Sequence, residues 1–453
     1  MIGLAWTSTR AGGWPRALLI AACTAMSSGL LLVALAMALL PTEPQETLFP
    51  LVADPGLRAG TALSTVMLAV PLVLLLYQGV RLGTASRERR FAALRVAGAT
   101  PNDVRNLGAV EVGIPVGVGA LLGIVVYRLL LALLGGDDRG GAGVWGADPR
   151  MGDVDAGLVP SMVAPTWWQY LLVAGVVTSV GLLVGWRVSG RVAGPPVGVA
   201  RGQRTRPPRP WGLLALALAG VSVGAVMTSA KTGAGSTALV IAAVWLAVLG
   251  TISLSSWVSF RVGRYAETRA RSAAMLLAAR RLVTEPRPAG RAGAAIGGIA
   301  LVAGGAGQIA ASVIGGPGQE DPFYTKSLLL VAGALVVGLL ATTGTIAIHS
   351  VESLLDRRRA IAALVAAGTP VATIERAQRY EAVLVSLPMA AGGVLLGSLA
   401  LGLIGEELLV ELLAVPLTAA LTLVLVAAAV LTATGAVRPW LVQATRPDNL
   451  RTE

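Results

Sequence analysis

Between Ala17 and Leu40 the chain carries no charged residue, and none again between Leu413 and Ala436. Apolar runs of this length constrain the fold more than any other feature. Lipid offers the backbone no hydrogen-bond partner, and a helix is the one single segment that satisfies its own N–H and C=O groups. At a rise of about 1.5 Å per residue, each run also exceeds the ~30 Å hydrocarbon core of a bilayer. Further apolar stretches lie near 60–80, 108–134, 167–186, 211–229, 237–258, 293–314, 326–349 and 380–404, which brings the expected spans to ten. The chain is 55% hydrophobic and 13% charged, with a mean hydropathy of +0.74. That is too much apolar surface for a soluble domain. The expected fold class is therefore an all-α polytopic membrane protein with ten transmembrane helices.

The net charge of +12 does not point to nucleic acid, because the basic residues form no single face or tail. They alternate with the spans. Arg81, Arg87, Arg89, Arg90, Arg95 and Arg105 follow the second span, Arg187 to Arg209 the fourth, and Arg261 to Arg291 the sixth. The intervening loops hold Glu43, Glu46 and Asp54, then Asp137 to Asp155, then Glu320 and Asp321, then Glu406, Glu407 and Glu411. Under the positive-inside rule this places both termini in the cytoplasm of a multi-pass cell-membrane protein. The Ala17–Leu40 run is longer than the ~7–15 residues of a signal-peptide core, so it is expected to remain as an anchor.

Chemistry is sparse. Cys23 and His349 are the only residues of their kinds, which leaves no disulfide, no zinc set and no catalytic triad. No catalytic residue, cofactor or metal is expected, and the chain is not expected to be an enzyme. The two lysines, Lys231 and Lys326, do not follow a glycine, so the sequence holds no phosphate-binding loop of the Gly-x-x-x-x-Gly-Lys-Ser/Thr kind. Carboxylates are nearly absent from the mid-span regions, where ion-coupled transporters need them.

One element occurs twice. RERRFAALRVAGATPNDVRNLGAVE, residues 87–111, and RRRAIAALVAAGTPVATIERAQRYE, residues 357–381, align at an offset of 270. Arg87/Arg357, Arg89/Arg359, Leu94/Leu364, Gly98/Gly368 and Glu111/Glu381 coincide. Each copy lies between the second and third spans of a four-span set, which gives two four-span repeats of the same orientation, related by an axis along the membrane normal. The expected division is a first half at 1–205, a two-span insert at 206–265 after the Pro- and Arg-rich linker, and a second half at 266–453. Within the element, Phe91 and Leu94, or Ile361 and Leu364, have the spacing of a short amphipathic helix. Gly98 and Gly368 fit a left-handed helix stop. Thr100-Pro101-x-Asp103 then fits a capped helix start, and Thr369-Pro370 is expected to act the same way. Gly-x-x-x-Gly pairs at 113/117, 119/123 and 393/397 are expected at close helix contacts.

The basic flank, the short apolar helix ending in Leu-x-x-x-Gly, the Thr-Pro start and the glutamate of the next span resemble the cytoplasmic coupling region of FtsX-like (MacB- and BceB-type) ABC transporter permeases. The ten-span layout with a two-span insert is similar to the BceB-type subset. The resemblance implies a permease without ATPase chemistry of its own, bound to cytoplasmic ABC ATPase subunits, two per permease, through coupling helices at about 87–98 and 357–368. The residues it implies for that contact are Arg87, Arg89, Arg90, Phe91, Leu94, Gly98 and Glu111 in one copy, and Arg357, Arg359, Ile361, Leu364, Gly368 and Glu381 in the other. The expected activity is export or extraction of an apolar or amphipathic substrate from membrane lipid. The alternative is a permease that passes a mechanical or signalling output to an envelope protein or sensor kinase. Many relatives carry a large extracellular domain after the first span of one half; only about 41–59 and 315–325 are available here.

Overall fold

The computed structural model describes residues 14–41, 48–81, 91–135, 158–160, 164–192, 207–228, 234–315, 322–402 and 408–445. Among these, helix is the only extended secondary structure, and one isolated bridge joins Gly135 to Val159. The chain divides into two compact units, Met1–Gly202 and Gln203–Glu453.

The first unit is built from α1 (Trp14–Ala38), the short α2 (Pro50–Ala53), α3 (Pro55–Arg81), α4 at 91–96, α5 (Pro101–Leu134) and α6 (Trp167–Val192). α5 lies between α1 and α6, and its glycines explain how. A Cβ on Gly119 or Gly123 would run into Ala21, Thr24, Ala25 and Ser28 of α1, and one on Gly108 or Gly113 into Ser189 and Leu182 of α6. Small residues let the backbones approach, which in lipid replaces the missing hydrophobic drive between helices. The Ser28 hydroxyl donates across this contact to the Ala120 carbonyl at 3.3 Å. One apolar cluster gathers Leu32, Met37, Val52, Tyr127 and Val159, and a second gathers Ile20, Val80, Val112 and Val116 nearer the α4 end.

The second unit contains α7 (Trp211–Thr228), α8 (Ala234–Arg269), α9 (Ala273–Thr284), α10 (Pro286–Gly315), α11 (Pro322–Asp356), α12 (Arg358–Ala366), α13 (Val371–Gly402), α14 (Leu408–Ala436) and α15 (Arg438–Ala444). Here α10 and α13 form the close pair. Gly393 and Gly397 face Gly297, Ala300, Leu301 and Gly305, and the Ser398 hydroxyl donates to the Gly304 carbonyl at 3.3 Å. Gly123 and Gly393, which align at the offset of 270, thus sit against α1 and α10 respectively. α7 and α8 pack on each other at Gly212 and Gly250, and α8 continues onto α9 and α10 at Gly263, Gly290 and Gly297. α7 and α8 are therefore packed within the second unit.

Nine of the described helices are long and apolar enough to cross a membrane. The expected fifth span corresponds to α7, whose apolar stretch Trp211–Val226 is shorter than the other nine. The 18 residues of α7 extend about 27 Å, slightly under the ~30 Å hydrocarbon core. Trp167 and Trp211, at helix starts, are 76% and 64% exposed, as side chains that reach an interface are.

Candidate functional site

The two copies of the repeated element fold into the same local structure, a short helix, a glycine corner and the start of a long helix. Gly98 and Gly368 have φ of +97° and +91°, and they are the positive-φ residues among those described. At the first corner the Gly98 N–H donates to the Arg95 carbonyl and the Ala99 N–H to the Leu94 carbonyl, both at 3.0 Å. At the second, Gly368 donates to Val365 and Thr369 to Leu364, both at 2.9 Å. This pair of bonds is the Schellman closure, which satisfies the last carbonyls of a helix and needs a left-handed residue to do so.

The two outgoing helices start differently. Thr100 caps α5: its hydroxyl accepts from the Asp103 N–H at 3.2 Å, and the Asp103 carboxylate accepts from the Thr100 N–H at 3.0 Å, with Pro101 in the first turn. The expectation that Thr369-Pro370 repeats this cap is corrected. α13 begins at Val371, in register with Pro101, so Pro370 occupies the position of Thr100 and has no side-chain oxygen to offer. The Pro370 carbonyl instead accepts from the Thr373 N–H at 2.9 Å.

The apolar residues of the elements point inward. Phe91 is 4% exposed and packs with Val104, Leu94, Ala99 and Leu107, which folds α4 back onto α5. Ile361 is 1% exposed and joins Ile374, Leu354, Val437 and Leu441, with Leu364 at the edge, so α12 is also covered by the short α15. Residues 93–100 and 363–370 have the same sequence of burial states, position by position. What both elements expose is the corner itself and the outer helix face: Ala93, Val96, Ala97 and Gly98 in one, Ala363, Ala366, Ala367 and Gly368 in the other. Val96 is 90% exposed.

Glu111 and Glu381 lie away from this surface. Glu111 is buried on α5 and accepts from Arg16 Nη1 at 2.9 Å, while Arg16 also donates to the Gly79 and Val80 carbonyls at 3.0 Å. Glu381 is buried on α13, 3.5 Å from Arg281 Nη1 of α9 and 4.0 Å from Arg357 Nη1. Arg357 in turn donates to Glu285 at 2.5 Å. A cavity of about 20 Å³, room for roughly one water, lies beside Glu381 and is lined by His349, Ser350, Ser353, Gln378 and Ser386. Arg359 is exposed on α12. Arg87, Arg89 and Arg90 lie outside the described residues. The ion-pair partners Arg16 and Arg281 were legible in sequence only as basic markers of a membrane side, and Val96 gave no signal because the first element alone carries a bulky residue there. Arg105 is stacked on Trp186 of α6 at 5.1 Å, which ties the start of α5 to the end of the fourth expected span. Among the described residues no group of three His, Cys, Asp or Glu side chains is placed to hold a metal ion.

Residues 61–197 match the family model described as FtsX-like permease C-terminal. The match begins within α3, runs through α6 and includes the first glycine corner. No curated protein matches the chain. The family match supports the FtsX-like permease family, whose members are multi-pass membrane proteins of the ABC transporter permease type.

Proposed function

We propose that this FtsX-like permease is the membrane-spanning subunit of an ABC transporter, with both termini cytoplasmic, coupled to a separate ATPase through the corners at Gly98 and Gly368. The observation that carries the proposal is the recurrence of one exposed surface in two places. Two Schellman corners of the same burial pattern protrude from different units, each rigidly continuous with a long apolar helix. A helix joined through a hydrogen-bonded corner to a spanning helix moves with it, so force applied at the tip is delivered to the span. The contact surface is formed by the exposed small residues, Val96 and Arg359, together with Arg87, Arg89 and Arg90 of the preceding basic run. Phe91, Leu94, Ile361 and Leu364 act from behind by holding the short helices against α5, α13 and α15.

The chain itself lacks the loop that would cradle nucleotide phosphates, so ATP turnover belongs to the partner. Membrane lipid surrounds the spans and supplies the apolar or amphipathic substrate that is exported or extracted. The 1–205 and 266–453 segments act as two permease halves, with the insert at 206–265 attached to the second. Because one chain carries both corners, one permease binds two ATPase subunits. Native mass spectrometry of the purified complex tests this: a mass of one permease with two ATPases is expected, and a complex with two permeases would overturn it.

A further inference from the structure

In both units the glutamate that ends the repeated element turns inward to the base of its hairpin, where the short helix and the spans meet. Resting on the reading of these hairpins as ATPase-coupling elements, we propose that Glu111 and Glu381 are positioning residues. Each joins the incoming and outgoing arms of its hairpin through an arginine, and so fixes the direction in which the corner is presented. In the first unit the arms are α3 and α5. Arg16 reaches both: its guanidinium donates to the Gly79 and Val80 carbonyls in the last turn of α3 and to Glu111 on α5. A planar guanidinium fork can serve two carbonyls and a carboxylate together where an ammonium would not.

The second unit reaches the same result with other parts. Glu381 on the outgoing α13 accepts from Arg281 of α9 at 3.5 Å and lies at ion-pair distance, 4.0 Å, from Arg357, which joins the end of α11 to the start of α12 and so stands at the foot of the incoming arm. Arg357 extends the chain of charges to Glu285. The donors come from α1 in one unit and from α9 and the α12 start in the other. The recurring feature is the closed junction, with its glutamate thirteen residues after the corner glycine in both copies. A pair serving only to hold the first helix in place would not need to contact the incoming arm in both units. Neutralising the glutamate takes one counter-charge from a largely buried guanidinium and loosens the tie between the two arms.

The test uses the full-length permease in nanodiscs on a Cys23→Ala background, with spin-label pairs at the exposed positions Ala97/Arg187 in the first unit and Ala366/Ala273 in the second. Each native pair should give one narrow distance distribution. Glu111→Gln should broaden the first and Glu381→Gln the second, and Arg357→Gln should reproduce the second effect at a less buried position. The double variant Glu381→Gln/Arg357→Gln should be no broader than either single, because both remove one junction. Unchanged distributions in Glu381→Gln and Arg357→Gln would overturn the proposal, even if Glu111→Gln fails to fold. With the cognate ATPase added to the same variants without spin labels, maximal stimulation of ATP hydrolysis should fall while the half-saturating ATPase concentration holds. Broadened distributions with full stimulation would refute the coupling reading alone and leave the positioning role standing.

Discussion

Replacing Gly98 and Gly368 with valine tests whether the corners transmit force, because their backbone geometry isolates one cause. The two φ values are +97° and +91°, and a Cβ built on either residue would meet nothing within 4 Å. The penalty is therefore conformational and involves no clash. A left-handed conformation costs an L-residue about 1–2 kcal/mol, and more for a β-branched one. The two sites are far apart in the sequence and belong to separate units, so their costs should add to about 2–4 kcal/mol. That corresponds to roughly 5- to 30-fold in the population of each native corner, and roughly 30- to 1,000-fold in the population with both corners native. Neither site is in an apolar core, so the variant should still insert and purify. The assay is ATP hydrolysis by the cognate ATPase in proteoliposomes, with and without the permease. Stimulation should be largely lost in Gly98→Val/Gly368→Val and substantially kept in Gly98→Asn/Gly368→Asn, since asparagine tolerates the left-handed region. Gly60→Ala, in α3 with equally open surroundings but no positive φ, should be neutral or stabilising by about 0.5–1 kcal/mol. Native-like stimulation by the double valine variant would refute the coupling role. Equal loss in the valine and asparagine variants would refute the backbone explanation.

Three further outcomes are expected. Introduced cysteines at Val96 and Thr166 should label from the cytoplasmic and outer sides respectively against a silent Cys23, which is buried; labelling of both from one side would contradict the topology. Val96→Asp should leave thermal stability within about 0.5 kcal/mol, since the side chain is 90% exposed, yet weaken ATPase binding by more than about 1 kcal/mol in a titration; unchanged affinity would remove Val96 from the contact. Gly397→Leu should prevent accumulation of folded protein, because any side chain there overlaps the Leu301 carbonyl of α10, at a cost of about 1–3 kcal/mol or more; a normally folded variant would show that α10 and α13 can separate.

The membrane class, the helical content and the sites of both corners could be read directly from the amino-acid order, because each follows from local rules. Long uncharged runs leave the backbone one way to satisfy itself in lipid, and Leu-x-x-x-Gly before a fresh helix start leaves one residue able to turn left-handed. The Thr100–Asp103 box was legible for the same reason, since donor and acceptor are three residues apart. The failure at Thr369-Pro370 shows the limit of such rules: a one-residue shift of the proline moved it to the capping position, and the helix kept its register with the first copy because the corner sets where α13 begins. Contacts between distant residues were not legible. Arg16 meets Glu111 across 95 positions and Arg281 meets Glu381 across 100, and no periodicity links them. The inward turn of Phe91 and Ile361 depended on Val104, on Ile374 and on the late helix α15, and the attachment of α7 and α8 to the second unit depended on glycines meeting across helices. Local hydrogen bonding and burial are encoded within a few turns of chain, whereas the choice of which arginine closes which hairpin is made by packing, after the helices have found their neighbours.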